Sequence, residues 1–144
     1  MDTVNTTTAR TGNDVLDPEQ ISAFHENGYL IADFGLDKGL LDEIISRVDQ
    51  LYPDEYRSNP SAAVRLQDAW HTIDEVRQLA VHDRVLRALQ QLLGRRPLPF
   101  QTLNFPVGTR QLPHSDTIHF NTLPAGFMAG VWVALEDCDE ENGP

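Results

Sequence analysis

The amino-acid sequence predicts an α+β fold in which helices come first and strands follow. Up to about residue 96, apolar residues recur at the spacing of helices, between N-capping residues and helix-ending glycines. After Pro99, short apolar segments alternate with turn residues, which is typical of strands. This order favours helices packed on an antiparallel sheet or barrel.

The first predicted helix begins after Asp17. Asp17 can act as the N-cap, Pro18 suits the first helical position, and Gln20 stands where a capping box places its second partner. Gly28 can take the left-handed conformation that ends many helices. The segment from Tyr29 to Phe34 is then predicted to be a short strand.

Three more helices are predicted before residue 94. One runs from about Lys38 to Tyr52, with a broad apolar stripe made by Leu40, Leu41, Ile44, Ile45, Val48 and Leu51. The others span Asp74 to Ala80 and Asp83 to Leu93, and Gly94 closes the last one. The apolar face of that last helix is predicted to hold Val85, Leu86, Leu89, Leu92 and Leu93. The polar segment Asp54 to Arg65 is predicted to be a loop.

Strands are predicted over Phe100 to Phe105, Thr117 to Phe120 and Phe127 to Leu135. The acidic segment Glu136 to Gly143 is predicted to be a turn region. Residues 1–16 are predicted to form a disordered tail, because they hold few large apolar side chains to offset the entropy of ordering. Residues 17–144 are predicted to belong to one domain.

Composition and charge exclude several classes of protein. The tail lacks the apolar segment of a signal peptide, and no apolar run approaches the roughly 20 residues of a membrane helix. The single cysteine, Cys138, excludes an intrachain disulfide and favours a reducing compartment, so we expect a soluble cytoplasmic protein. The net charge of −11 and the absence of a basic stripe argue against nucleic-acid binding. A small cluster of arginines is interpreted as a solvated helix face: Arg84, Arg87, Arg95 and Arg96.

His114-Ser115-Asp116 is the segment with the clearest chemistry. In a strand, residues two apart point to the same side, so His114 and Asp116 can direct an imidazole nitrogen and a carboxylate oxygen at one point. These are two of the three ligands in the 2-His-1-carboxylate arrangement of non-haem iron(II) oxygenases. Three protein ligands leave three octahedral positions for a bidentate 2-oxo acid and dioxygen. Alone the pair is a weak signal, since a strand-end His beside an Asp is common.

The surrounding sequence resembles the phytanoyl-CoA dioxygenase family. A Gln-bearing segment and a Pro/Gly loop, residues 100–108, precede the His-x-Asp motif. About eighteen residues past the His comes Trp-x-Ala-Leu-x-Asp, which runs into Asn-Gly-Pro at residues 142–144. The opening segment His25 to Tyr29 also looks like the start of these proteins. The resemblance covers Asp17 to Pro144, most strongly from Gln101 onward.

The resemblance implies a partial double-stranded β-helix, or jelly roll, with N-terminal flanking helices. It implies an enzyme that uses iron(II), 2-oxoglutarate and dioxygen to hydroxylate a small molecule. His114 and Asp116 match the first two iron ligands of the family, and Trp132 matches a position that lines the 2-oxoglutarate pocket. Gln101 falls where these enzymes place a polar contact to 2-oxoglutarate.

Plainer interpretations of the same residues stay open. Trp132 lies among apolar residues and is as well explained as a core side chain. Gln101 and Asn104 could satisfy buried backbone groups. His119 is three residues past Asp116, on the opposite side of a strand, and is a weak candidate ligand.

The family pattern also needs a second iron-binding His and an Arg that pairs with 2-oxoglutarate, and neither occurs before Pro144. We therefore expect a fragment that binds iron weakly and has little or no activity alone. The alternatives are a non-catalytic binding or pseudo-enzyme module, or a structural zinc site formed by His114, Asp116 and His119.

Overall fold

A computed structural model of the chain describes residues 14–54, 64–107, 120 and 122–139. Their elements in chain order are α1 (Pro18–Asn27), α2 (Lys38–Asp49), β1 (Leu66–Gln67), a 3₁₀ helix (Ala69–His71), α3 (Asp74–Ala80), α4 (Asp83–Leu93) and β2 (Leu103–Asn104). The chain divides into two compact units, Met1–Phe34 with Asp83–Pro97 and Gly35–His82 with Leu98–Pro144. None of the described helices is long and apolar enough to cross a membrane.

The ends of α1 confirm the predicted capping signals. The Asp17 side chain accepts a hydrogen bond from the Gln20 backbone N–H at 2.8 Å, and the Gln20 side chain accepts one from the Asp17 N–H at 3.0 Å. These reciprocal bonds satisfy two N–H groups that would otherwise lack partners. Gly28 ends the helix with a φ of 80° and donates its N–H to the Phe24 carbonyl at 2.8 Å.

The core of the first unit lies between α1 and α4. Leu16, Ala88 and Leu92 are buried, and partly buried residues pack against them: Val15, Ile21, Phe24, Leu30 and Phe34. Ala88 is missing from the predicted apolar face, although it lies one turn from both Val85 and Leu92, because a small side chain contributes little to an apolar pattern. Gly94 ends α4 with a φ of 65°, as predicted.

The last residues of the predicted tail are packed in this core. Leu16 is buried, and the side-chain oxygen of Gln91 accepts hydrogen bonds from the N–H groups of Val15 and Leu16 at 2.8 and 2.9 Å. The prediction of disorder for residues 15 and 16 is therefore wrong, because a side chain 75 residues away supplies the bonds that order them. Residues 1–13 lie outside the described part of the chain.

The second unit packs α2, the 3₁₀ helix and α3 around its own apolar core. The buried members of this core are Ile44, Val48, Tyr52, Ala69, Ile73 and Val76. The helix α2 ends at Asp49, three residues before the predicted Tyr52, and a Leu51 N–H to Val48 carbonyl bond closes a tighter turn there. Its buried stripe is narrower than predicted, since Ile45 and Leu51 are exposed.

The strands differ most from the sequence-based prediction. In the predicted strand Phe100 to Phe105, the regular strand covers only Leu103–Asn104, with β1 as its antiparallel neighbour. The segments Tyr29 to Phe34 and Phe127 to Leu135 form no strand in the described structure. A strand needs a second backbone beside it, and apolar alternation cannot supply one. At Phe34 the carbonyl accepts a hydrogen bond from the Arg84 guanidinium instead, at 2.7 Å.

The described residues therefore show an α+β arrangement with one two-stranded ribbon. The jelly roll stays a prediction, and the predicted strand at residues 117–120 lies outside the described residues except for Phe120. The ring of Phe120 contacts that of Phe100 edge-on, with centroids 5.3 Å apart.

Candidate functional site

The two predicted iron ligands, His114 and Asp116, lie outside the described residues, as does His119. Their shared orientation, and with it the alternative zinc site, stays a prediction. Within residues 14–54, 64–107, 120 and 122–139, no group of three or more His, Cys, Asp or Glu side chains is placed to hold a metal ion. The described part of the candidate site therefore consists of the segments that carry Gln101 and Trp132.

Gln101 lies directly before the ribbon of β1 and β2. In this ribbon Leu66 lies opposite Asn104 and Gln67 lies opposite Leu103. The next pair, Asp68 and Thr102, is also hydrogen-bonded: the Asp68 N–H donates to the Thr102 carbonyl at 2.8 Å. Gln101 is half-buried and follows the exposed Phe100, so it lies where the chain enters the ribbon.

The Asp68 side chain extends this contact. The Thr102 N–H donates to Asp68 Oδ1 at 3.2 Å, and the Gln67 side-chain amide donates to Asp68 Oδ2 at 3.3 Å. Asp68 is in the left-handed region, with φ 56° and ψ 34°. No motif marks Asp68 in the sequence, and its only signal is that Asp adopts this conformation more readily than most residues.

Thr102 and Asn104, which alternate along the strand and so share one side of it, each carry a buried polar atom. Within the described residues, Thr102 Oγ1 and Asn104 Oδ1 have no hydrogen-bond partner. Such atoms are uncommon, since buried polar groups are nearly always hydrogen-bonded. Asn104 Oδ1 therefore accepts no backbone N–H in this part of the chain, and the interpretation that Gln101 and Asn104 satisfy buried backbone groups stays a prediction.

Trp132 is not a core residue. Its side chain is 71% exposed, and the side chain of its neighbour Val131 is 49% exposed. Val133 and Leu135 are half-buried, and Leu135 packs against the core of the second unit. The packing of Leu135 ties this segment to the core, while the indole of Trp132 remains accessible to a ligand.

Comparison with known proteins places the chain among oxygenase-related sequences. The family model described as "Phytanoyl-CoA dioxygenase (PhyH)" matches residues 24–144. The chain is 28% identical over 144 residues to "Phytanoyl-CoA dioxygenase domain-containing protein 1" of Bos taurus, covering 93% of the chain and 47% of that protein. The protein of the same name from Mus musculus gives the same identity and coverage.

The Rattus norvegicus protein of that name is 30% identical over 115 residues, which cover 76% of the chain and 37% of that protein. No solved structure gives a significant match. The chain thus spans about half the length of the curated relatives it matches, or less. Because the family match extends over residues 24–144, most of the sequence, the chain belongs to the phytanoyl-CoA dioxygenase family.

Proposed function

We propose that this chain supplies the iron-binding segment and part of the 2-oxoglutarate pocket of an iron(II)- and 2-oxoglutarate-dependent dioxygenase that hydroxylates a small organic molecule. Membership of the family supports oxygenase chemistry. The observation that carries the proposal is the His114-Ser115-Asp116 motif inside the matched region, which the Trp-x-Ala-Leu-x-Asp segment beginning at Trp132 follows.

The donor types fit iron(II). An imidazole and a carboxylate are two of the three ligands of the facial site that non-haem iron oxygenases use. When bound, iron(II) with 2-oxoglutarate and dioxygen supplies the oxidising power for C–H hydroxylation, and 2-oxoglutarate is converted to succinate and carbon dioxide. His114 and Asp116 would hold the ion.

The other two residues would shape the pocket. The accessible indole of Trp132 would pack against 2-oxoglutarate and exclude water from it. The carboxamide of half-buried Gln101 would donate a hydrogen bond to a 2-oxoglutarate oxygen. For the whole protein, whose relatives are about twice as long as the chain, we propose that a second His and an Arg complete the site.

Metal uptake tests the proposal. Iron(II) and then 2-oxoglutarate are added to the chain without oxygen, at concentrations up to millimolar, and the visible charge-transfer band is recorded. We expect a weak band in the parent chain and none in His114→Ala or Asp116→Ala, because each variant loses one ligand.

Two surface variants serve as matched controls. His25 lies exposed near the end of α1, and Asp42 is an exposed residue of α2, so His25→Ala and Asp42→Asn should keep the band. A band of equal strength in all five proteins would place the iron elsewhere. If the chain retained zinc and its spectrum did not respond to 2-oxoglutarate, the result would favour the alternative of a structural zinc site.

A further inference from the structure

We propose that Asp68 is a positioning residue for 2-oxoglutarate binding, because its carboxylate fixes the strand entrance that carries Gln101. This inference rests on the proposed function, in which Gln101 contacts 2-oxoglutarate. The hydrogen bonds at the end of the β1–β2 ribbon support the role of Asp68.

The pair Asp68 and Thr102 continues the register of the ribbon. Antiparallel partners at such a position normally exchange two backbone bonds, N–H to carbonyl in each direction. Here one of the two is regular, from the Asp68 N–H to the Thr102 carbonyl at 2.8 Å. The other is replaced, since the Thr102 N–H donates to the Asp68 carboxylate at 3.2 Å.

The replacement has a local cause. The Asp68 backbone carbonyl accepts the His71 N–H at 3.0 Å, as part of the 3₁₀ helix that follows. The left-handed backbone of Asp68 turns the chain from the strand into this helix. The carboxylate therefore stands in for the missing ladder carbonyl, and without it the Thr102 N–H would lose its protein partner.

The orientation of the carboxylate is constrained at both oxygens. Oδ1 accepts the Thr102 N–H, and Oδ2 accepts the Gln67 side-chain amide at 3.3 Å. Gln101 precedes Thr102, so the bond to Thr102 holds the peptide group that joins the two residues. A loosened bond would let Gln101 move away from a position where it could meet a ligand.

Two substitutions distinguish the effect of losing the carboxylate from the effect of changing the backbone conformation. Asp68→Asn keeps an acceptor oxygen and tolerates a φ of 56°, whereas Asp68→Gly tolerates that φ and has no acceptor. Hydrogen exchange of the Thr102 amide should stay slow in Asp68→Asn and become at least about tenfold faster in Asp68→Gly. An unchanged Thr102 exchange rate in Asp68→Gly would overturn the proposal, whether or not the chain binds 2-oxoglutarate.

Ligand binding then tests the positioning role. In the full 144-residue chain loaded with Mn(II), we expect Asp68→Gly to raise the dissociation constant of 2-oxoglutarate about tenfold and to leave that of Mn(II) within about twofold. Gln101→Ala should have a similar effect, and the double variant should be no worse than Gln101→Ala, because both act through one contact.

The outcomes distinguish this inference from the proposed function. Two results would overturn the role of Asp68 while the parent chain still binds metal and 2-oxoglutarate. One is a loss of 2-oxoglutarate binding free energy in the double variant that equals the sum of the losses in the two single variants. The other is a normal 2-oxoglutarate affinity in Asp68→Gly. A parent chain that binds Mn(II) but no 2-oxoglutarate would instead refute the pocket in the proposed function, and this inference with it.

Discussion

Gln91 shows how a single side chain can order a segment that looks disordered in sequence. Its carboxamide oxygen accepts the N–H groups of Val15 and Leu16, and its nitrogen donates to the Leu16 carbonyl at 3.2 Å. Three backbone groups thus find partners in one residue of α4. Together with the burial of Leu16, these bonds attach the residues before α1 to the core of the first unit.

We expect Gln91→Ala to lower the free energy of unfolding by about 1–3 kcal/mol, because partly buried backbone groups lose their partners. Chemical denaturation measures the loss, and amide exchange at residues 15 and 16 should accelerate. The control is Gln90→Ala on the exposed side of the same helix, which should change stability by less than about 0.5 kcal/mol. Equal effects of the two substitutions would contradict the role of Gln91.

At the scale of elements, α2 shows that helical spacing predicts a stripe but not its width. Ile44 is fully buried and Val48 nearly so, whereas the neighbouring Ile45 is 39% exposed. In the described structure, the side of α2 that carries Ile44 and Val48 packs against α3 and the 3₁₀ helix. The Arg47–Glu75 ion pair between α2 and α3, at 3.8 Å, is partly exposed and contributes little.

A pair of substitutions in α2 tests the difference in burial between Ile44 and Ile45. Ile44→Ala should lower the free energy of unfolding by about 2–5 kcal/mol, since it removes buried methylene groups and leaves a cavity. Ile45→Ala makes the same chemical change at a half-exposed position and should cost less than about 1.5 kcal/mol. Denaturant titration of both variants checks the prediction, and a larger loss for Ile45→Ala would show that the other side of α2 is packed.

At the scale of the whole molecule, several large apolar side chains of the second unit are exposed. Leu98, Leu123 and Trp132 are 80%, 98% and 71% exposed. Exposed large apolar side chains favour association with other chains.

We therefore expect the chain to associate as its concentration rises, and the double variant Leu98→Lys with Leu123→Lys to associate less. Sedimentation velocity over a range of concentrations measures the effect. Ile31→Lys is the control, because Ile31 is 87% exposed but belongs to the first unit, and it should leave association unchanged. A chain that stays monomeric and melts in one sharp transition would contradict this prediction.

The sequence by its own patterns predicted the four described α-helices, the caps of α1, the glycine that ends α4 and the family. The Asp17 cap, the terminal glycines Gly28 and Gly94 and the helical spacing act within a few residues, so local sequence contains all that they require. The His-x-Asp and Trp-x-Ala-Leu motifs led to the same family that the comparison found. Their part in metal and 2-oxoglutarate binding stays a prediction.

Tertiary structure alone decided which extended segments pair and which side chains replace backbone partners. Thr102 meets Asp68 across 34 residues, and Leu16 meets Gln91 across 75. It also decided that Trp132 is exposed and Ala88 buried. These outcomes depend on which surfaces meet after the chain has folded, and a local pattern of apolar and polar residues does not contain that information.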